Sequence, residues 1–277
     1  MDILIGADSQ LGRNFKKVLK NTIFLSKKDL NIKSSKQLQN IFKKFKPSKV
    51  YNCIGNTDTS NDIDNIKKLF TINSLELINL CKLANIYNSK VIHFSSNAVF
   101  DGSKISSYNE NDIPNPDSFY GYSKLLGEKI ISHKCNKFLI IRISSLYSEY
   151  KSSTKKNGSF IDQITSSLNN NAIINVNDQI TNPTYTFDLV KLISKLVNKF
   201  DNEIIHCVSK NNTSWFNFAK HIQKKLNLNG KIIKVNQKNL NNKINKNLSL
   251  TSVKISKKTK YQMPNWQDQF ENYLKNL

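Results

Sequence analysis

Arginine is nearly absent from this sequence: Arg13 and Arg142 are the only two among 42 basic residues in a chain of 277. Proteins built to grip polyanions draw on arginine, because its planar fork meets a phosphate with two hydrogen bonds. The formal charge of +22 is instead carried by lysines spread along the chain, beside 40 asparagines. That is the composition of A/T-rich codons, so no specific nucleic-acid partner is expected; the opposite reading would show as steeply salt-dependent association. Cysteine is also sparse. Cys53, Cys81, Cys135 and Cys207 stand far apart with no C-x-x-C pair, which excludes a disulfide framework and a zinc ribbon. Reduced thiols in the cytoplasm are the expectation. The four histidines show no ligand spacing, and no metal ligands are assigned. No stretch approaches the roughly 18 apolar residues of a membrane helix. The start, Met1-Asp2-Ile3-Leu4-Ile5-Gly6, lacks the basic segment of a signal peptide. With 38% hydrophobic residues, 22% charged and a mean hydropathy of −0.48, a folded, soluble, membrane-free protein is expected.

What is present is an alternation of short apolar runs with helically spaced ones. Asp2–Ile5, Thr22–Leu25, Lys49–Ile54, Val91–Ser95 and Phe138–Ile143 read as strands. Leu11 onward, Lys36–Phe45, Ile66–Ile86 and Gly121–Ile131 read as helices. Strands alternating with helices predict right-handed parallel crossovers, hence an α/β fold with a doubly wound parallel sheet of Rossmann type. After about Ser145 the character changes. Lys151–Gly158 is polar; Phe160–Leu168, Leu189–Phe200 and Trp215–Leu226 read as helices; Val176–Thr186 is irregular; Ile204–Val208 is a late strand; Asn236–Asn247 is a Lys/Asn-rich loop. The expected division is a nucleotide domain over 1–145 and a mostly substrate-binding part over 146–277, some of whose elements return to the sheet.

The first strand runs into Gly6-Ala7-Asp8-Ser9-Gln10-Leu11-Gly12, a G-x-x-S-x-x-G loop that opens a helix. Small residues there let backbone N–H groups and the helix N-terminus approach a pyrophosphate. Gly6 permits the turn, Gly12 permits close helix packing, and Ser9 stands where glycine is usual. The second strand ends Leu25-Ser26-Lys27-Lys28. Two cations and a hydroxyl, with no acid at Ser26, suit the 2′-phosphate of NADPH better than the free ribose hydroxyls of NADH, which stays possible.

Tyr120-Gly121-Tyr122-Ser123-Lys124 opens another helix. Y-x-x-x-K spacing puts the phenol and the ammonium one turn apart on one face. The lysine is expected to lower the phenol's pKa so that it can exchange a proton with an alcohol or ketone oxygen. Ser96 follows the fourth strand and can polarise the same oxygen.

These motifs, in this order, resemble the extended short-chain dehydrogenase/reductases, and within them the dTDP-4-dehydrorhamnose reductase family, over nearly the whole chain. Gln10-Leu11-Gly12 resembles the end of G-x-x-G-Q-L-G. Leu30-Asn31-Ile32 looks like L-D-I-T, and Val50 to Thr57 like V-x-N-x-A-A-x-T. Phe94 to Gly102 is similar to the S-T-D-Y-V-F-D-G block. Tyr120 to Glu128 matches Y-G-x-[ST]-K-L-x-G-E. Asp178-Gln179 through Pro183-Thr184 to Asp188-Leu189 looks like D-D-Q-x-G-x-P-T-x-x-x-D-L, and Pro264-Asn265-Trp266 like L-P-x-W. The resemblance implies a catalytic Ser96, Tyr120 and Lys124. Tyr120 would protonate the alkoxide formed when hydride reaches the C4 ketone of a nucleotide-linked 6-deoxyhexose. It implies cofactor contacts from Gly6, Ser9, Gln10, Leu11, Gly12, Ser26, Lys27, Asn31, Ile32, Cys53, Ile54 and Gly55 as well as Tyr120 and Lys124. Substrate contacts fall on Asn97, Ser145, Gln179 and Pro183, and a homodimer is possible.

The departures are specific. Asn97 and Ala98 replace an Asp-Tyr pair, Ser145 replaces a substrate-side Trp, Asn31 replaces an Asp, and Ser9 replaces a Gly. The chemistry is therefore expected to be kept while the sugar pocket is altered. Asn97 and Ala98 cannot move protons, which argues against a 4,6-dehydratase. A sugar-nucleotide epimerase and a non-catalytic, NADP-binding regulatory subunit remain as alternatives.

Overall fold

Short apolar runs bounded by turn residues set the strands, and helically spaced apolar stretches, most of them capped by a Ser, Asp or Asn side chain, set the helices. A computed structural model describes residues 1–150, 158–235 and 246–277. The strands are β1 (Asp2–Ile5), β2 (Thr22–Leu25), β3 (Lys49–Asn52), β4 (Lys90–Ser96), β5 (Phe138–Ile143), β6 (Leu146–Tyr147), β7 (Ile173–Asn177), β8 (Ile180–Thr181), β9 (Thr184–Tyr185), β10 (Glu203–His206), β11 (Thr213–Ser214) and β12 (Lys231–Val235). The helices are α1 (Gln10–Lys16), α2 (Ser35–Phe45), α3 (Ile63–Phe70), α4 (Leu77–Ile86), α5 (Phe119–Lys134), α6 (Phe160–Asn169), α7 (Thr186–Leu196), α8 (Trp215–Lys225), α9 (Val253–Lys258) and α10 (Trp266–Lys275).

Six parallel strands form the central sheet in the order β10-β5-β4-β3-β1-β2. This is the expected doubly wound α/β architecture. The order reverses between β1 and β3, and ligands bind such sheets at the carboxyl ends of the strands flanking that reversal. β4 is buried along its whole length, and side chains alternate between two cores. Ile92 and Phe94 face α1 and α7; Val91 faces α2 and α4. β10, made from residues far downstream, adds the outer strand beside β5. A third, aromatic core joins Tyr147, Tyr185, Phe218, Trp266 and Phe270.

Three differences from the sequence expectations have local causes. The helix expected over Ile66–Ile86 is broken by a π-helical turn at Thr71–Leu75. The wider turn brings Asn73 and Ser74 inward, and the Ser74 hydroxyl donates to the Phe70 carbonyl at 2.5 Å. Within Val176–Thr186, β7 pairs with β12 and β8 with β11. These two-stranded edges are too short for a periodic pattern to stand out. α10 follows the Pro264-Asn265-Trp266 motif, with Asn265 capping Asp268 N–H. The polar stretch Lys151–Gly158 and the Lys/Asn-rich loop expected over Asn236–Asn247 lie mostly outside the described residues. Five asparagines, Asn21, Asn88, Asn171, Asn202 and Asn227, hold left-handed backbone positions, where a short polar side chain substitutes for glycine.

Candidate active site

The loop after β1 is shaped by two glycines. Gly6 has φ +85°, and a Cβ there would stand 2.8 Å from the Cys53 backbone of the neighbouring β3 loop. A Cβ on Gly12 would stand 2.4 Å from the Gly6 carbonyl oxygen. Ser9 needs no glycine, because its backbone is extended (φ −68°) and its hydroxyl caps α1 by accepting from Gly12 N–H. The substitution is thus absorbed without strain. Gln10 donates at 2.9 Å to Thr186 at the start of α7. Leu11 and Cys53 lie in the core, so either meets a ligand only through its backbone.

At the tip of β2, Lys27 and Lys28 are exposed. An acid is also there. Asp29 folds back and accepts from the Ser26 hydroxyl at 2.6 Å and the Ser26 N–H at 2.8 Å. These bonds hold its carboxyl below the usual value. Asn31 is exposed and braces the turn before α2 by accepting from Lys33 N–H at 3.1 Å, and Ile32 is buried in the core. Ile54 is half-buried and donates its N–H to Asn52; Gly55 is exposed, and a Cβ there would make an ordinary contact, 3.5 Å from Asn73 Oδ1. Sequence reasoning missed the brace beneath this loop. Asn73, on the π-helical turn, accepts from Asn56 N–H at 2.8 Å and donates to the Asn56 carbonyl at 2.9 Å and to Ser123 at 2.9 Å. One side chain ties the β3 loop to α5.

Ser96, Tyr120 and Lys124 come together at the carboxyl end of β4. Ser118 caps α5, so the helix starts with Tyr120 in its first turn. The Ser96 hydroxyl is hydrogen-bonded to the Tyr120 phenol, accepts from Ala98 N–H at 3.2 Å and donates to Asn97 Oδ1 at 3.2 Å. Lys124 is buried and donates to the Phe94 carbonyl at 2.5 Å. Burial pulls its ammonium down to about 8, against the pull of Glu128 upward. The phenol behaves differently from the expectation. Burial raises Tyr120 above its ordinary value, and only the Ser96 hydrogen bond opposes this. Desolvation of the phenolate outweighs any help from Lys124, whose ammonium is turned to a backbone carbonyl.

Asn97 donates to Ser144 Oγ at 3.0 Å and to the Leu248 carbonyl at 3.0 Å. Ser144 bonds Thr181 at 3.0 Å, and Ser145, at φ +46°, also bonds Thr181. A row of hydroxyls therefore stands where the resemblance predicted an aromatic ring. Gln179 is half-buried, and its carbonyl accepts from Trp215 N–H. Pro183 is buried. The 246–251 segment crosses this end of the site: Asn247 N–H donates to the Gly102 carbonyl, Leu248 N–H to the Ile180 carbonyl, and Leu250 N–H to Asn182. No pattern in the sequence pointed to it.

The family model described as the RmlD substrate binding domain matches residues 1–277. A dTDP-4-dehydrorhamnose reductase of Aggregatibacter actinomycetemcomitans is 28% identical over 229 residues, 78% of this chain and 76% of that one. The spore coat polysaccharide biosynthesis protein SpsK of Bacillus subtilis is 28% identical over 246 residues, 87% of this chain and 84% of that one. Among solved structures, a dTDP-4-dehydrorhamnose reductase from Bacillus anthracis in complex with NADP superposes with a TM-score of 0.90 at 24% identity, covering 100% of both chains.

Proposed function

Because the chain belongs to the RmlD substrate binding domain family along its whole length, we propose that it is an NADPH-dependent reductase. Its substrate is the C4 ketone of a nucleotide-linked 4-keto-6-deoxyhexose, as for a dTDP-4-dehydrorhamnose reductase. The observation that carries this reading is the meeting of Ser96, Tyr120 and Lys124 at the carboxyl end of β4, beside the sheet's order reversal.

The residues fit a dinucleotide. Along one sheet edge lie the cations after β2, the glycine loop after β1 and Lys124 beyond β4. Lys27, Lys28 and Ser26 would hold the 2′-phosphate, the Gly6–Gly12 loop the pyrophosphate, and Lys124 the ribose hydroxyls. Gln10, Asn31, Ile32, Cys53, Ile54 and Gly55 would line the remainder. When bound, the nicotinamide supplies hydride. Tyr120, kept neutral by burial, gives its proton to the oxygen that becomes the C4 hydroxyl. Ser96 orients that phenol, and its own proton can turn from Asn97 to the substrate oxygen. Asn97, Ser145, Gln179 and Pro183 would border the sugar, with 146–277 as the mainly substrate-binding part. Asn97 suits this chain in particular. An aspartate would set an uncompensated negative charge against the Leu248 carbonyl, which now accepts an amide proton.

Changing Lys27 and Lys28 together to Ala should weaken NADPH binding about tenfold, the equivalent of roughly 1.4 kcal/mol, and NADH binding much less. Fluorescence titration of both cofactors reads this, and equal losses would move the 2′-phosphate elsewhere. A homodimer is supported by apolar side chains exposed on adjacent helices: Leu75 and Ile78 around the start of α4, and Phe119, Tyr122 and Leu126 on α5. Light scattering should give twice the 31.8 kDa chain mass, and Leu126→Glu should return the mass to one chain; a monomeric parent would rule the dimer out. Free, buried thiols at the four cysteines are in keeping with the cytoplasm, where we place it. Among the described residues no helix is long and apolar enough to cross a membrane.

The test of the reading is NADPH oxidation by the purified protein with dTDP-4-keto-6-deoxy-L-mannose, with a UDP-linked 4-keto sugar in parallel. Oxidation of either is the expected result. Tight NADPH binding without oxidation of any 4-keto sugar nucleotide would sink it in favour of a regulatory subunit.

A further inference from the structure

The stripe of α5 that faces the sheet has a third member which the mechanism above leaves unused. Tyr120, Lys124 and Glu128 follow one another at four-residue spacing and so share one face. Glu128 is buried, and both of its oxygens are taken. Arg142 donates to them from Nε at 2.8 Å and from Nη2 at 2.7 Å. Arg142 belongs to β5, opposite Ser95 of β4. It shares the parity of Phe138 and Ile140, whose side chains pack with α4 and α5. Its other nitrogen lies 3.4 Å from His206 Nε2, and its guanidinium carbon stands 5.1 Å from the centre of the Phe100 ring.

Two glycines set how closely α5 approaches its neighbours. A Cβ on Gly121 would stand 2.1 Å from the Ala98 carbonyl oxygen, and one on Gly127 would stand 2.3 Å from that of Asn73. Closeness does not fix the helix's rotation or its slide along the sheet. A two-pronged bond between a helix carboxylate and a strand guanidinium fixes both, because it constrains direction as well as distance. Buried ion pairs are a poor source of net stability, since desolvation offsets most of their attraction. A pair kept one turn from Lys124 therefore invites a role at Lys124.

We propose that Glu128, held by Arg142, is a positioning residue for Lys124: it fixes the rotation and height of α5 and sets a negative charge one turn from the ammonium. The groups that face Lys124 are few. From α5 come Tyr120 and Glu128. From β4 come the Phe94 carbonyl and His93, which burial, with the Lys124 charge behind it, holds well below its ordinary value and so neutral. From β5 comes Arg142, behind Glu128. Among the described residues Glu128 is the one anion in this set, and it is what opposes the effect of burial on Lys124.

The inference rests on reading α5 as the seat of the reaction, so its test does not depend on turnover alone. Lys124 carries its charge below its pKa and loses it as pH rises through about 8. Cofactor contacts made by the ammonium should weaken on that alkaline limb. The experiment measures NADPH affinity by fluorescence from about pH 5.5 to 10, with the pH profile of kcat beside it. Glu128→Gln leaves the Arg142 charge uncompensated; its limb should move down by about one pH unit, a tenfold change in proton affinity. Arg142→Gln should move the limb the opposite way. Arg142→Lys keeps the charge but loses the fork; it should lower kcat and leave the limb in place. A limb unmoved in Glu128→Gln, or one that moves the same way in Glu128→Gln and Arg142→Gln, overturns the proposal. Should Glu128→Gln not fold, identical limbs in Arg142→Gln and Arg142→Lys overturn it. A shifted NADPH limb without turnover on any 4-keto sugar would remove the reductase reading and leave the positioning role standing.

Discussion

Tyr120→Phe lowers kcat with a 4-keto sugar nucleotide by at least about 10²-fold, the usual cost of losing a general acid, and leaves NADPH affinity within about twofold. The direction follows from the phenol's environment. Burial raises the Tyr120 pKa above its ordinary value, so at neutral pH the side chain holds its proton. That is the form a reduction needs, because the alkoxide left by hydride addition must receive one. Phe keeps the ring that packs at the start of α5 and removes only the hydroxyl. Ser96 loses one partner and keeps Asn97 and Ala98 N–H. Lys124 keeps the Phe94 carbonyl, so the cofactor side is spared. Steady-state NADPH oxidation and cofactor titration on the same preparation separate the two effects. Activity near that of the parent would take Tyr120 out of the proton transfer.

Gly121→Ala should be nearly as damaging, for a reason of space rather than chemistry. The added methyl would lie 2.1 Å from the Ala98 carbonyl oxygen and 2.8 Å from Pro116 Cβ. The first contact is backbone, two residues beyond Ser96, and backbone there cannot swing aside as a flexible side chain would. Either α5 lifts or the turn at Asn97–Val99 shifts, and both separate Tyr120 from Ser96. A displacement of about 1 Å at a reacting pair can cost about 10²-fold in rate, and overpacking of this kind costs about 1–3 kcal/mol of stability. The expected result is a kcat fall of that order with a melting temperature lower by several degrees. An unchanged melting temperature with full activity would mean that the turn yields freely and that the close approach has no part in building the site.

Much of this was legible in the chain because it is local. The glycine loop, the Tyr120–Lys124 spacing and the alternation of strands and helices are written within short windows, and the fold places them as those windows imply. What was not legible depends on distant partners or on a change of helical period. Asn73 sits in a continuous apolar helical pattern, and nothing in that pattern announces the π-helical turn that aims it at the β3 loop. Asp29 is three residues past the position where an acid was sought, and only the turn at Ser26–Asp29 brings it back. The raised phenol of Tyr120 was misjudged because a neighbouring lysine can be counted in a sequence, whereas desolvation cannot. Leu248 meets Asn97 through a backbone carbonyl, which has no signature at all. Glu128 and Arg142 were visible only as members of motifs; that they are each other's partners is a property of β5 lying beside β4.

The segment that crosses the site has a consequence for how the molecule comes into being. Chains emerge amino-end first, and their leading parts fold as they emerge. β1 through β5 and α5 can assemble early, yet the sheet lacks its outer strand until residues 203–206 appear, and Asn97 lacks its carbonyl partner until Leu248 does. Only the last tenth of the chain, by way of Gln269 bonded to Tyr185 N–H, closes the aromatic layer beneath β9. A nascent chain can thus hold the formed glycine loop after β1 well before it has the carbonyl that anchors Asn97.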